Sequence, residues 1–205
     1  MQATNAIFYI LIVIMSVVIH EVSHGFVAEL YGDNTARDAG RLTLNPLKHL
    51  DLFGSIILPI ILYFSVHFVF GWAKPVPYNP RNLRNQKWGT IWVAAAGILV
   101  NFLIAFIFGM IIRLSSGSII SENFYFITST IVIINLALGV FNLLPLPPLD
   151  GSKILFQLLP KSSSSVIMFL EQYSLILVFV FIIFFSNILF PLLGYLFHAF
   201  TGFVL

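Results

Sequence analysis

The chain has no cysteine, which rules out disulfides and thiolate ligands, so any bound metal must be held by histidine, carboxylate or amide oxygen. Charge is almost as scarce. Asp, Glu, Lys and Arg make up 9% of 205 residues, where a soluble domain carries about a quarter. The net charge of +2 offers no basic surface for nucleic acid. No composition shift, repeat or long linker divides the sequence, so residues 1–205 read as a single domain. What fills the chain instead is apolar: 59% of residues are hydrophobic and 22 are Phe. This is the composition of an integral membrane protein, and runs of such length imply an all-α, multi-pass helical bundle.

Apolar stretches occur at about 3–28, 52–71, 90–114, 124–147, 166–185 and 188–204, with Asn187 and Pro191 dividing the last two. The first is too long for a signal-peptide core and is expected to be retained. Of the polar stretches between them, residues 40–44 read as a short strand, and 72–76 as either a strand, whose edge Pro75 and Pro77 suit, or a plain membrane-surface loop. The serines at 162–165 read as a flexible connection or a helix start.

His20-Glu21-Val22-Ser23-His24 lies inside the first apolar run, where ionisable groups are costly and mark function by default. About 0.005 accidental matches to His-Glu-x-x-His are expected in a chain of this composition, so chance is a poor explanation. On a helix the two histidines sit one turn apart on one face and can share one zinc ion, with Glu21 beside it as general base. Two ligands do not complete such a site. The stretch Asn142-Leu143-Leu144-Pro145-Leu146-Pro147-Pro148-Leu149-Asp150-Gly151 supplies a candidate third. Its prolines must break the preceding helix, and Asp150 emerges just past the break. The competing role for Asp150 is to cap the next helix in a surface turn.

Together these residues resemble the site-2 proteases, intramembrane zinc peptidases, and the resemblance extends over nearly the whole chain. His20-Glu21-Val22-Ser23-His24 is similar to the family's zinc helix, and Asn142 through Gly151 to its second motif. The stretches Gly40-Arg41-Leu42-Thr43-Leu44-Asn45-Pro46 and Phe70-Gly71-Trp72-Ala73-Lys74-Pro75-Val76-Pro77 resemble those of short prokaryotic members. The resemblance implies one zinc ion per chain on His20, His24 and Asp150, with Glu21 activating water. It implies that Asn142 positions substrate or stabilises the tetrahedral intermediate. It also implies transmembrane protein substrates, a lipid bilayer around the chain and a prokaryotic cell membrane. Ile98 and Leu50 stand where relatives often carry proline, and neither is a proposed ligand.

A single zinc also constrains topology. If 52–71 crossed fully, the helix bearing His20 and the helix ending at Asn142 would run antiparallel and carry their ligands to opposite faces. A re-entrant 52–71, broken at Pro59, makes them parallel. It also places every lysine and arginine except Arg113 on one side, whereas full crossing splits the ten basic residues six against four. The positive-inside rule favours the first arrangement, with the zinc nearer the cytoplasm. The extended segments would then offer an edge to an unwound substrate. The competing function is a membrane metal transporter using the same His and Asp residues, but transport does not require Glu21.

Overall fold

The computed structural model describes residues 3–57, 60–61, 64–65, 73–115 and 121–204. Among these, all regular structure is helical. Helix α1 (Ala3–Leu30) leads through a single turn, α2 (Thr35–Asp38), into a long connection, followed by α3 (Gln86–Ser115) and α4 (Glu122–Asn142). Then come two short helices, α5 (Asp150–Leu158) and α6 (Ser164–Gln172), and finally α7 (Ser174–Thr201). Four of them, α1, α3, α4 and α7, are long and apolar enough to cross a membrane. The protein is an integral membrane protein.

Helix α3 lies at the centre and touches α1, α4, α5 and α7. Its buried face is built largely of small residues, including Gly89, Ala94, Ala96, Gly97, Ala105 and Gly109. In lipid, burying large side chains between helices gains little, because acyl chains are as apolar as leucine; close backbone approach gains more. Large hydrophobics therefore stay outside: Phe184 and Phe190 of α7 are 71% and 73% exposed. One apolar cluster of Ala105, Ile112, Val132, Leu136 and Phe197 joins α3, α4 and α7.

Cross-helix contacts fix directions. Moving from His24 to His20 along α1 advances from Val93 to Asn101 along α3, so these helices are antiparallel. Ser16 of α1 meets Asn135 of α4, and further along both, His20 meets Asp150 just past the end of α4, so α4 runs parallel to α1. The backbone N–H of Arg84 donates to the carbonyl of Tyr31 at 2.9 Å. The connection from α1 to α3 therefore starts and ends at the same end of the bundle and makes no net crossing.

Four expectations need correction. Residues 40–44 form no strand: Gly40 turns the chain at φ +63°, Arg41 N–H donates to the carbonyl of Ala36, and the Thr43 carbonyl meets the His49 imidazole instead of a neighbouring strand. Near 72–76, Trp72 lies outside the described residues and 73–76 has no strand structure. Pro75 lacks an N–H, the Lys74 carbonyl accepts from Arg41, and the Val76 N–H goes to Glu21. A re-entrant 52–71 is not supported either. Leu52–Ile57 is a short π-helical stretch, and 58–59, 62–63 and 66–71 lie outside the described residues. At the other end of the chain, α7 runs unbroken through Asn187 and Pro191, and the division falls at Tyr173. Proline removes one backbone donor there, whereas ending the helix in an apolar surrounding would leave more groups unsatisfied.

Candidate metal centre

Helix α1 places His20 and His24 one turn apart, facing α3, and both are buried. Helix α5 opens with Asp150 after the chain has turned through the proline-rich segment, where the Pro147-Pro148 peptide is cis. The three side chains meet. His20 Nε2 and His24 Nε2 are 3.0 Å apart, and each lies 3.1 Å from Asp150 Oδ2. A tetrahedral zinc with bonds near 2.0–2.1 Å holds its ligand atoms about 3.3–3.4 Å apart, so this triangle fits one face of that tetrahedron.

Hydrogen bonding settles which imidazole nitrogens face inward. Asn135 Nδ2 donates to the Ile131 carbonyl, which can only accept, so Asn135 Oδ1 is left to accept from Asn101 Nδ2 at 3.1 Å. Asn101 Oδ1 then accepts from His20 Nδ1 at 2.8 Å. The Val93 carbonyl accepts from His24 Nδ1 at 2.6 Å. Each histidine carries its proton on Nδ1 and aims an Nε2 lone pair at Asp150 Oδ2. Three acceptor atoms converging in a buried place repel one another, and a cation between them turns that repulsion into binding. The residues present fit zinc.

Glu21 lies on the adjoining face of α1, and one of its carboxylate oxygens is within 4.8 Å of ligand nitrogens of both histidines. Its Oε2 accepts from the Val76 N–H at 2.9 Å. Gly25, one turn further on, makes this possible, since a Cβ there would stand 2.6 Å from the Val76 side chain. The segment is also held to the chain that follows α1: the Arg41 guanidinium donates to the Lys74 carbonyl at 2.7 Å, and buried Asp33 accepts from Asn79 N–H and Asn82 Nδ2 at 2.6 and 2.8 Å. Burial works to raise the pKa of Asp33, but its bonds to Thr35, Asn79 and Asn82 outweigh that and bring it below the ordinary value.

Around Asp150, burial again opposes charge. The Lys153 ammonium favours the charged carboxylate against it. Lys153 Nζ donates to Asp150 Oδ1 at 2.9 Å. Asn142, in the last turn of α4, donates from Nδ2 to the Leu138 carbonyl of its own helix, and among the described residues no hydrogen bond joins it to the histidines or Asp150. His49 and Asp51 support their loop, through the Thr43 carbonyl and the Gly54 N–H.

The geometry thus joins His20, Glu21, His24 and Asp150 and leaves Asn142 at the margin. It adds Gly97, where a Cβ would collide with the His20 ring, and the buried Asn101–Asn135–Ser16 chain, which ends with Asn135 Nδ2 donating to Ser16 Oγ at 2.9 Å. The available signal was two asparagines set in otherwise apolar helices.

The model of peptidase family M50 matches residues 8–186. Among curated proteins, YwhC of Bacillus subtilis (strain 168), provisionally named a zinc metalloprotease, is 36% identical over 91% of this chain and 86% of its own length. Zinc metalloprotease MJ0392 of Methanocaldococcus jannaschii is 28% identical over 77% of this chain and 37% of its own. Rip2 of Mycolicibacterium smegmatis, also provisionally named a zinc metalloprotease, is 28% identical over 67% of this chain and 52% of its own. No solved structure matches.

Proposed function

Because the chain belongs to peptidase family M50, the site-2 protease family, and is a zinc metallopeptidase, we propose that it hydrolyses peptide bonds within or beside membrane-spanning segments of other membrane proteins. The observation that carries this is the triangle of two Nε2 atoms and Asp150 Oδ2, 3.0 to 3.1 Å on a side, with a carboxylate next to it. In this reading His20, His24 and Asp150 hold the zinc. When bound, the ion supplies Lewis acidity, polarising the scissile carbonyl and making a water molecule acidic near neutral pH.

Glu21 takes the proton of the attacking water on its carboxylate and delivers it to the leaving amine. Its bond to the Val76 N–H holds one oxygen and leaves the other to carry that proton. Asn142 has one amide hydrogen on Leu138 and a second for the developing oxyanion. A substrate helix satisfies its own backbone and must be unwound locally before its carbonyl can be reached. The 73–79 stretch is poor in donors for pairing with it. Lys74, Val76 and Asn79 already spend their N–H groups on this chain, and Pro75 and Pro77 have none.

His20 lies about 15 Å from the Leu30 end of α1 at 1.5 Å rise per residue, inside the half of the bilayer next to the long connection. That connection carries most of the basic residues, which under the positive-inside rule supports a cytoplasmic side for it and the metal. A reporter fused after Arg84 should then register the cytoplasm; an external signal rejects the orientation. For the activity, purified protein in nanodiscs with zinc and a tagged transmembrane substrate should cleave it, and Glu21→Gln should retain zinc without cleavage. Turnover by Glu21→Gln removes Glu21 from the reaction. Zinc flux into proteoliposomes without cleavage would favour a transporter.

A further inference from the structure

The two oxygens of Asp150 have different partners: Oδ2 faces both imidazoles, while Oδ1 is held at 2.9 Å by Lys153 Nζ. Stability alone does not explain that lysine. A cation in the first turn of α5 opposes the helix dipole, and the Lys153 side chain is 40% exposed, where an ion pair contributes little to folding. The backbone under Asp150 is already fixed. Gly151 is pressed so closely on the carbonyls of Leu143 and Leu144 that no Cβ fits between them. What stays free is rotation of the carboxylate itself, and that decides whether one oxygen or two turns toward the imidazoles.

We propose that Lys153 is a positioning residue that pins Oδ1 away from the metal, so that Asp150 contributes a single oxygen and the site keeps a position open for substrate chemistry. The three-residue spacing puts lysine and aspartate on the same face of α5, and the lysine stem spans the distance without strain on the helix. The inference rests on the metal-site reading above and adds to it a residue that need not touch the ion.

The test compares Lys153→Met and Lys153→Arg with the parent, and His24→Ala as the ligand-loss control, using the purified full chain. The readouts are zinc affinity by chelator competition and the visible spectrum of the cobalt(II)-substituted protein. Lys153→Met should still bind one metal, with affinity changed about 10- to 100-fold, as for other partners of metal ligands. Its cobalt bands should weaken as a second carboxylate oxygen joins the ion. Lys153→Arg, which keeps the charge on Oδ1, should restore both. Affinity and spectrum in Lys153→Met equal to the parent's overturn the inference, as does failure of arginine to rescue. If Lys153→Met is not recovered folded, Lys153→Gln is measured by the same criteria. Weak zinc binding by the parent, no better than His24→Ala, would instead reject the metal site itself.

Discussion

A methyl group on Gly97 would stand 2.5 Å from Cε1 and 2.7 Å from Nε2 of the His20 ring. Helix α3 therefore gives the imidazole its place by having no side chain there. Substituting Gly97→Ala should push the ring by about 1 Å, a displacement that can cost on the order of 100-fold in activity. Zinc titration and cleavage assays check this, with helical content unchanged. A Gly97→Ala protein of parental affinity and turnover would show that the ring can yield without consequence.

Asn101 fixes the proton of His20 on Nδ1 while giving its own amide to Asn135. Asn101→Leu removes the acceptor and leaves buried polar groups unpaired at both ends. Zinc affinity should fall about 10- to 100-fold, and the unpaired groups should lower stability by about 1–3 kcal/mol each. Asn101→Asp keeps an acceptor for His20 and should recover more of the affinity than leucine does.

Asp33 gives an acid-sensitive tie between the turn after α1 and the segment at 79–82. Its pKa in the folded chain lies below the ordinary aspartate value of 3.8, so its contribution is fully present above about pH 4 and is lost as pH falls through the lower, folded value. Asp33→Asn should melt earlier at neutral pH and show a flatter decline below pH 4. Melting curves in detergent from pH 3 to 7 measure both effects. Parallel declines for the two proteins would mean that the charge on Asp33 is not what holds the segment.

Chelation should abolish cleavage, and added zinc should restore it. Because the metal binds only the folded chain, zinc at a thousand times its dissociation constant should stabilise the protein by about 4 kcal/mol. That shift should persist in Glu21→Gln and disappear in His24→Ala. A shift that survived His24→Ala would locate the metal elsewhere.

Much of the site was legible in the sequence because its chemistry is concentrated in a few ionisable side chains amid lipid-soluble ones. His20, Glu21 and His24 stand out for that reason, and the proline break announces Asp150. The parallel course of α1 and α4 was also implied, because the proposed ligands on α1 and just past α4 have to meet at one ion. What stayed hidden depends on contacts rather than composition. Nothing local shows that Gly97 lies against His20, or that Lys153 takes one oxygen of Asp150. The strands expected at 40–44 and 72–76 have suitable residues, but Arg41, Glu21 and His49 take the backbone groups that pairing would need. Pro191 misled in the opposite sense, because a breaker in water is tolerated inside a helix of such length in lipid.

The tie between Tyr31 and Arg84 has a bearing on evolutionary change. Within the stretch it closes, Val76 must keep its hold on Glu21, so change in length is tolerated between His49 and Lys74, whose backbones are themselves tied. In this protein, natural variation and grafted sensors have their safest point of attachment there.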